Sequence, residues 1–278
     1  MKSQLFTDIL QDNFSGSGAI LDAIQKPLSS FPPEQTLDIP DILTQLDELE
    51  QTFPHFALLY HFLTALRHFL STKNRLQGIA LKQFIEQYRK KWENTQQKAA
   101  ENFLMHVDVS GKSILLHSNS SAIRQLFSQM ASQGLFPEIW QTVSSPVNEG
   151  ILQAVFLEKL GFRVHLFHED SISLFVRQMD FALFGADVWW DEFFLNKTGT
   201  FPLTLVFRHF QKPVYVLAEW RKKINLKEMP EERFRKMIQE NPKPAEEIFT
   251  EPVKNVRVHN FYFEAIPLKL VTRFFTEA

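Results

Sequence analysis

The apolar residues change rhythm at Ser110-Gly111-Lys112, and that change limits this chain to few folds. Upstream they recur every three or four residues: Ile39, Ile42, Leu43, Leu46 and Leu49, then Phe56, Leu59, Leu63, Leu66 and Leu70, then Leu76, Ile79, Phe84, Tyr88, Trp92, Ala99 and Phe103. That spacing lines one side of successive α-helices. Downstream, short apolar runs alternate with helix-length segments, the pattern of βαβ units and a parallel sheet. Strands are expected at Ser113–His117, Ile139–Val143, Arg163–Phe167, Asp180–Phe184 and Val214–Leu217. One intervening helix carries Ile123, Leu126, Phe127 and Met130 and stops at Gly134; another carries Leu152, Val155, Phe156 and Leu160 and stops at Gly161. The expected fold is α/β: an N-terminal helical domain over 1–109, then a Rossmann-like doubly wound parallel sheet over 110–278 with the strand after Lys112 at its centre. A peripheral helix at Glu231–Gln239 and an edge strand within Leu268–Phe275 complete the expectation.

Composition narrows the chemistry. The chain has no Cys, which removes disulfides, thiolate metal sites and every cysteine nucleophile. Lys and Arg total 30 against 32 for Asp and Glu, so no basic surface for coating phosphates, and no direct nucleic-acid binding, is expected. The N-terminus reaches Asp8 before any signal-like apolar run, and no stretch has the roughly 18 apolar residues of a membrane span, so a cytoplasmic protein without a membrane partner is expected. Phe occurs 28 times, more bulk than a core of this size obviously needs, and the surplus suits an oligomer interface.

In an open parallel sheet, ligands bind beyond the carboxyl ends of the strands. Four polar clusters follow the expected strands: His117 to Ser121, Ser144 to Gly150, His168 to Ser171, and Gly185-Ala186-Asp187 leading to Asn196-Lys197-Thr198-Gly199-Thr200. The first two open into helices, whose free N–H groups favour a phosphate or carboxylate. Helix capping is the simpler role for Ser120, Ser121 and Asn148. His165 and His168 fall on opposite faces of a strand, and His55, His61 and His68 lack the four-residue spacing that would bring two ligands together, so no metal site and no cofactor are expected. Ser145 has no nucleophile elbow around it. The readings predict that Ser118, Asn119, Ser145, Asp187, Asn196 and Lys197 converge at the carboxyl edge of the sheet, with Gly16 and Gly18 closing the site from the helical domain.

In this order, the clusters resemble the family that unites the alpha, beta and delta subunits of eukaryotic translation initiation factor 2B with ribose-1,5-bisphosphate isomerase and methylthioribose-1-phosphate isomerase. Ile114 to Ala122 is similar to the isomerases' threonine-histidine-cysteine-asparagine strand end, and Gly185-Ala186-Asp187 with Asn196 to Thr200 to their most characteristic signature. Lys212 to Glu219 and Asn260 to Pro267 match two further blocks. The resemblance implies a helical domain before a Rossmann-like one, a homodimer, and a pocket for a sugar phosphate or nucleoside monophosphate. It also exposes departures. Ser118 stands where the isomerases carry a catalytic cysteine. Ser145 stands in place of the arginine of their arginine-proline-x-x-x-glycine loop, and Ser15-Gly16-Ser17-Gly18 replaces their arginine-glycine-x-glycine motif. A hydroxyl is a far weaker acid than a thiol, and it cannot reproduce a bidentate guanidinium.

Two functions follow. One is a diverged, non-catalytic member that keeps the pocket scaffold and works by assembly. The other is an aldose–ketose isomerase of a phosphorylated sugar, in which Asp187 moves a hydroxyl proton while Ser118 or a water replaces the thiol.

Overall fold

The computed structural model describes residues 5–12, 15–239, 242–251 and 253–278. The chain divides into two compact units, Met1–Asn94 and Thr95–Ala278.

The first unit is helical, as its periodicity dictates. It comprises α1 (Thr7–Leu10), α2 (Ser17–Ser29), α3 (Ile39–Thr52), α4 (Ala57–Ser71) and α5 (Gly78–Lys91), with a short antiparallel clasp of β1 (Thr36–Leu37) and β2 (Leu76–Gln77). Asp38 starts α3 by accepting the Asp41 N–H at 3.2 Å, and Pro40 in the first turn suits a position with no hydrogen bond to lose. Ile24 and Leu28 of α2, Leu46 of α3, Phe62 and Leu66 of α4 and Ile85 of α5 are fully buried. His61 is a packing histidine: its Nδ1 lies 2.9 Å from the Tyr88 hydroxyl.

The second unit opens with α6 (Thr95–His106) and continues through β3 (Ser113–Leu116), α7 (Ser121–Ser132), β4 (Glu138–Thr142), α8 (Glu149–Lys159), β5 (Val164–Phe167), α9 (Ile172–Phe175), β6 (Phe181–Phe184), β7 (Val188–Trp189), β8 (Phe193–Lys197), α10 (Thr200–His209), β9 (Val214–Leu217), α11 (Glu231–Ile238), β10 (Phe263–Pro267) and β11 (Arg273–Phe275). Six strands form one sheet in the order β11-β9-β6-β3-β4-β5, and every pairing in it is parallel. β3 is central, and the five expected strands appear within one residue at either end. The strand order reverses between β3 and β6, which makes the gap beyond their carboxyl ends a topological switch point.

Helices cover both faces. On one, α6, α7 and α8 bury Ala99, Phe103, Leu126, Phe127, Met130 and Leu157 against Ile114 and Leu116. On the other, α9 and α10 bury Ile172, Leu203 and Phe207 against Leu115, Ala182 and Phe184. The edge strand β11 occupies only the end of the expected run, because Leu268–Leu270 forms a 3-10 turn first. Outside the main sheet, β10, β8 and β7 make a small antiparallel sheet that the sequence reading lacked, so Asn196 and Lys197 end a strand of this second sheet rather than follow one of the first.

α6 owes its position to its apolar face. Ala99 and Ala100 allow close approach to neighbouring elements, while the Phe103 ring meets Phe275 at 5.0 Å, Tyr215 at 5.9 Å and Phe181 at 6.3 Å. Phe103→Ala removes this ring from a closed site and is expected to cost about 3–5 kcal/mol, read as a lower urea midpoint with an unchanged slope.

Candidate functional site

The loops after β3, β4 and β6 meet at the switch point. A side-chain carbon at Gly185 would lie 2.7 Å from Ser120 Oγ, so the 117–120 and 185–187 loops touch and only glycine fits between them. Ser118, Ser144 and Asn148 adopt left-handed backbone conformations with φ of 68°, 64° and 59°. Serine visits this region at a cost, and such positions persist only where surrounding bonds hold them.

A chain of hydrogen bonds supplies that hold. His117 Nε2 faces the Thr198 carbonyl at 3.0 Å, and a carbonyl only accepts, so Nε2 carries the proton. Nδ1 therefore accepts from Thr142 Oγ1 at 2.6 Å. Thr142 Oγ1 in turn accepts from Ser144 Oγ at 2.9 Å, and Ser144 Oγ accepts the Ser118 N–H at 2.7 Å. Burial drives the His117 imidazole down to about 4, the Thr198 carbonyl offsetting this in part. Gly199, with φ of 104°, is needed beside it, since a side-chain carbon there would stand 3.0 Å from the ring.

Carboxylates complete the network. Ser118 Oγ donates to Glu149 Oε1 at 3.1 Å, and Glu149 Oε2 pairs with Lys197 Nζ at 3.2 Å. The Lys197 and Glu149 side chains are only 4% and 12% exposed, and the ammonium lies 4.6 Å from the centre of the Tyr262 ring. Burial pushes the Glu149 carboxyl up, with Lys197 and Ser118 holding it back in part. Glu169 accepts the N–H groups of Ser144 at 3.1 Å and Ser145 at 2.7 Å, while Ser145 Oγ lies 3.1 Å from His168 Nε2. Glu264 Oε1 accepts the Gly199 and Phe201 N–H groups at 2.8 and 2.7 Å, capping α10 from β10; burial raises its carboxyl and these amides oppose the rise.

Ser118, Ser145 and Lys197 thus belong to one bonded network. Asn119 follows Ser118 in the same loop, and Asn196 Nδ2 donates to Thr200 Oγ1 at 2.9 Å. Asp187 sits on the adjoining loop: its N–H bonds Leu195 O at 2.9 Å, and its carboxylate lies 4.0 Å from Lys222 Nζ, which donates to Ala186 O at 2.7 Å. Gly16 and Gly18 lie at the start of α2 in the first unit. Ser120 and Asn148 occupy helix N-cap positions as expected, yet neither side chain makes a capping bond. The Ser120 N–H is itself accepted by Gln153 at 2.9 Å, and Asn148 is left-handed, which turns it out of the extended geometry that a capping side chain needs. Among the described residues no cluster of three or more His, Asp or Glu could hold a metal ion. Sequence reasoning passed over Glu149, Glu169, Glu264 and Lys222. A signal existed for the first two, which lie inside the polar clusters, Glu149 as the first residue of a helix.

These loops at a switch point, preceded by a helical unit, define a doubly wound α/β protein with a bonded polar network at the carboxyl edge of its sheet. The chain belongs to the initiation factor 2 subunit family (IF-2B), whose model matches residues 16–278. It is 27% identical over 234 residues to an eIF-2B subunit 2-like protein of Pyrococcus furiosus, covering 83% of this chain and 77% of that one. It is 26% identical over 190 residues to the ribose 1,5-bisphosphate isomerase of Methanocaldococcus jannaschii, covering 66% of this chain and 60% of the enzyme. Its fold is shared with the tetrameric eIF2B-beta2-delta2 complex from C. thermophilum, at a TM-score of 0.71 and 14% identity over all of this chain and 89% of that one.

The His117 environment predicts a pH signature. Its folded-state value of about 4 lies below the ordinary 6.5, so between these limits the unfolded chain binds the proton more readily and the imidazole's contribution to stability drains away as pH falls. His117→Gln cannot titrate. The stability gap between the native chain and this variant, from urea unfolding, is expected to narrow from pH 7.5 to pH 5; a constant gap would contradict a buried neutral histidine.

Proposed function

We propose that this chain is a diverged, non-catalytic, cytoplasmic member of its family that acts through assembly rather than turnover. One observation carries the reading: at the two positions where the resemblance expects a thiol and a guanidinium, Ser118 and Ser145 are bound into the protein's own network through Glu149, Glu169 and His168. A reacting acid must be free to meet substrate, whereas the Ser118 proton already has an acceptor. The missing arginine also removes charge-assisted bonds that stabilise a bound phosphate by roughly 1.5–3 kcal/mol each. In this reading the ligand-facing groups of the second unit are Asn119, Ser145, Asn196 and Lys197.

The test is turnover. Purified protein is expected to isomerise neither ribose 1,5-bisphosphate nor methylthioribose 1-phosphate; activity gained by the double variant Ser118→Cys, Ser145→Arg would show an intact scaffold, and continued silence would point to a further block. Turnover at an ordinary enzymatic rate by the native chain, lost in Asp187→Asn, would overturn the reading.

That outcome would establish the second function, an aldose–ketose isomerase, which one feature favours. The Ser118 hydroxyl faces the Glu149 carboxyl, which burial raises, and the loop that carries Ser118 touches the loop that carries Asp187.

Assembly is the positive claim. A homodimer through the second unit accords with a relative that is a tetrameric complex and with the outward face of α8, where Ile151, Leu152 and Val155 are exposed together. Light scattering at micromolar concentration is expected to give twice the 32.5 kDa chain mass; a monomer would contradict it.

A further inference from the structure

We propose that Glu149 is a built-in occupant of the anion position at Lys197, so that the native site rejects phosphate esters. The inference rests on the reading of the pocket above and adds what sets its ligand specificity.

Lys197 is the buried cation that faces the Ser118 loop and the start of α8. An ammonium with a side chain only 4% exposed needs a counter-charge, and the ring of Tyr262 provides only part of one. Glu149 provides the rest from the first residue of α8, where a helix favours negative charge. Its second oxygen accepts a hydrogen bond from the Ser118 hydroxyl at 3.1 Å. One carboxylate therefore lies against the ammonium, accepts from the hydroxyl and stands at the helix start, three features that would otherwise favour an incoming phosphate. A phosphate monoester would have to enter against this carboxylate in a site that water barely reaches, where like charges repel most strongly.

The neighbouring anion positions are filled in the same way. Glu264 holds the Gly199 and Phe201 amides at the start of α10, and Glu169 holds the Ser144 and Ser145 amides at 3.1 and 2.7 Å. Glu149 is the member of this set whose partner is a side-chain cation, so neutralising it leaves an unmatched positive charge at Lys197.

The test uses the full chain, inorganic phosphate as the probe and isothermal titration as the readout. Native protein is expected to give no saturable binding at millimolar phosphate. Glu149→Gln keeps the shape of the side chain and its hydrogen bond to Ser118 while removing the charge, and is expected to bind phosphate at least about tenfold more tightly. Adding Lys197→Met to that variant is expected to abolish the gain. Equal affinities in native protein and Glu149→Gln, or a gain that survives Lys197→Met, overturns the proposal. Glu149→Ser is the fallback variant, and failure of both substitutions to give folded protein assigns the pair to holding the fold, which also overturns it. Phosphate binding by the native chain without turnover removes this role of Glu149 and leaves the non-catalytic reading intact. A phosphate gain in Glu149→Gln beside turnover of an unphosphorylated sugar by the native chain removes that reading alone.

Discussion

All six strands of the main sheet run the same way, so the polar groups that follow them crowd one edge and must satisfy one another there. The hydrogen-bond chain from the Ser118 N–H through Ser144 and Thr142 to His117 meets this demand. Each link fixes a direction: because the Thr198 carbonyl can only accept, every proton in the chain is assigned. The left-handed backbone at Ser118 and Ser144, the glycine at 199 and the neutrality of His117 all follow from closing that chain without an orphaned donor.

Charge is handled by the same rule of local satisfaction, with opposite results at two buried carboxylates. Burial alone would raise Glu219, but Arg221 and Lys222 more than reverse it and hold the carboxyl below its usual range. Thr95 and Gln96 also donate to Glu219, at 2.9 and 2.8 Å. Glu149 has a single cation, and burial wins. Lys222 links the first of these centres to the 185–187 loop, because its ammonium also reaches the Ala186 carbonyl and approaches Asp187. Asp187 is thereby placed beside a cation that the spacing of the sequence did not announce.

Much of the fold was legible in the chain itself. β9 falls on Val214–Leu217 as read, because a short apolar run between polar punctuation has few other options, and α11, a charged segment opened by Pro230, ends within a residue of expectation. The antiparallel β7-β8-β10 sheet was not legible, since β8 pairs with a strand more than sixty residues away, and no local period reports such a partner. α6 shows the same limit. Its three- and four-residue spacing continues the helical pattern upstream, yet the contacts that bury Phe103 lie in the second compact unit. The site divides likewise. Ser118, Ser145 and Lys197 could be nominated because they follow strands or match a motif. Glu264, Glu169 and Lys222 act through tertiary approach, and in sequence they are ordinary charged residues.

By itself the sequence determined the helical first unit, the strands of the parallel main sheet, the absence of thiol chemistry and the loss of side chains that the resemblance made essential. Those are properties of residue type and period, which operate over a few positions. Only the tertiary structure decided what the remaining polar groups do. Whether Lys197 greets a ligand or is already neutralised depends on where the carboxylate of Glu149 lies, 3.2 Å away on another element, and electrostatic pairing at that range is set by the packing of β8 against the start of α8. Chain distance carries no record of it.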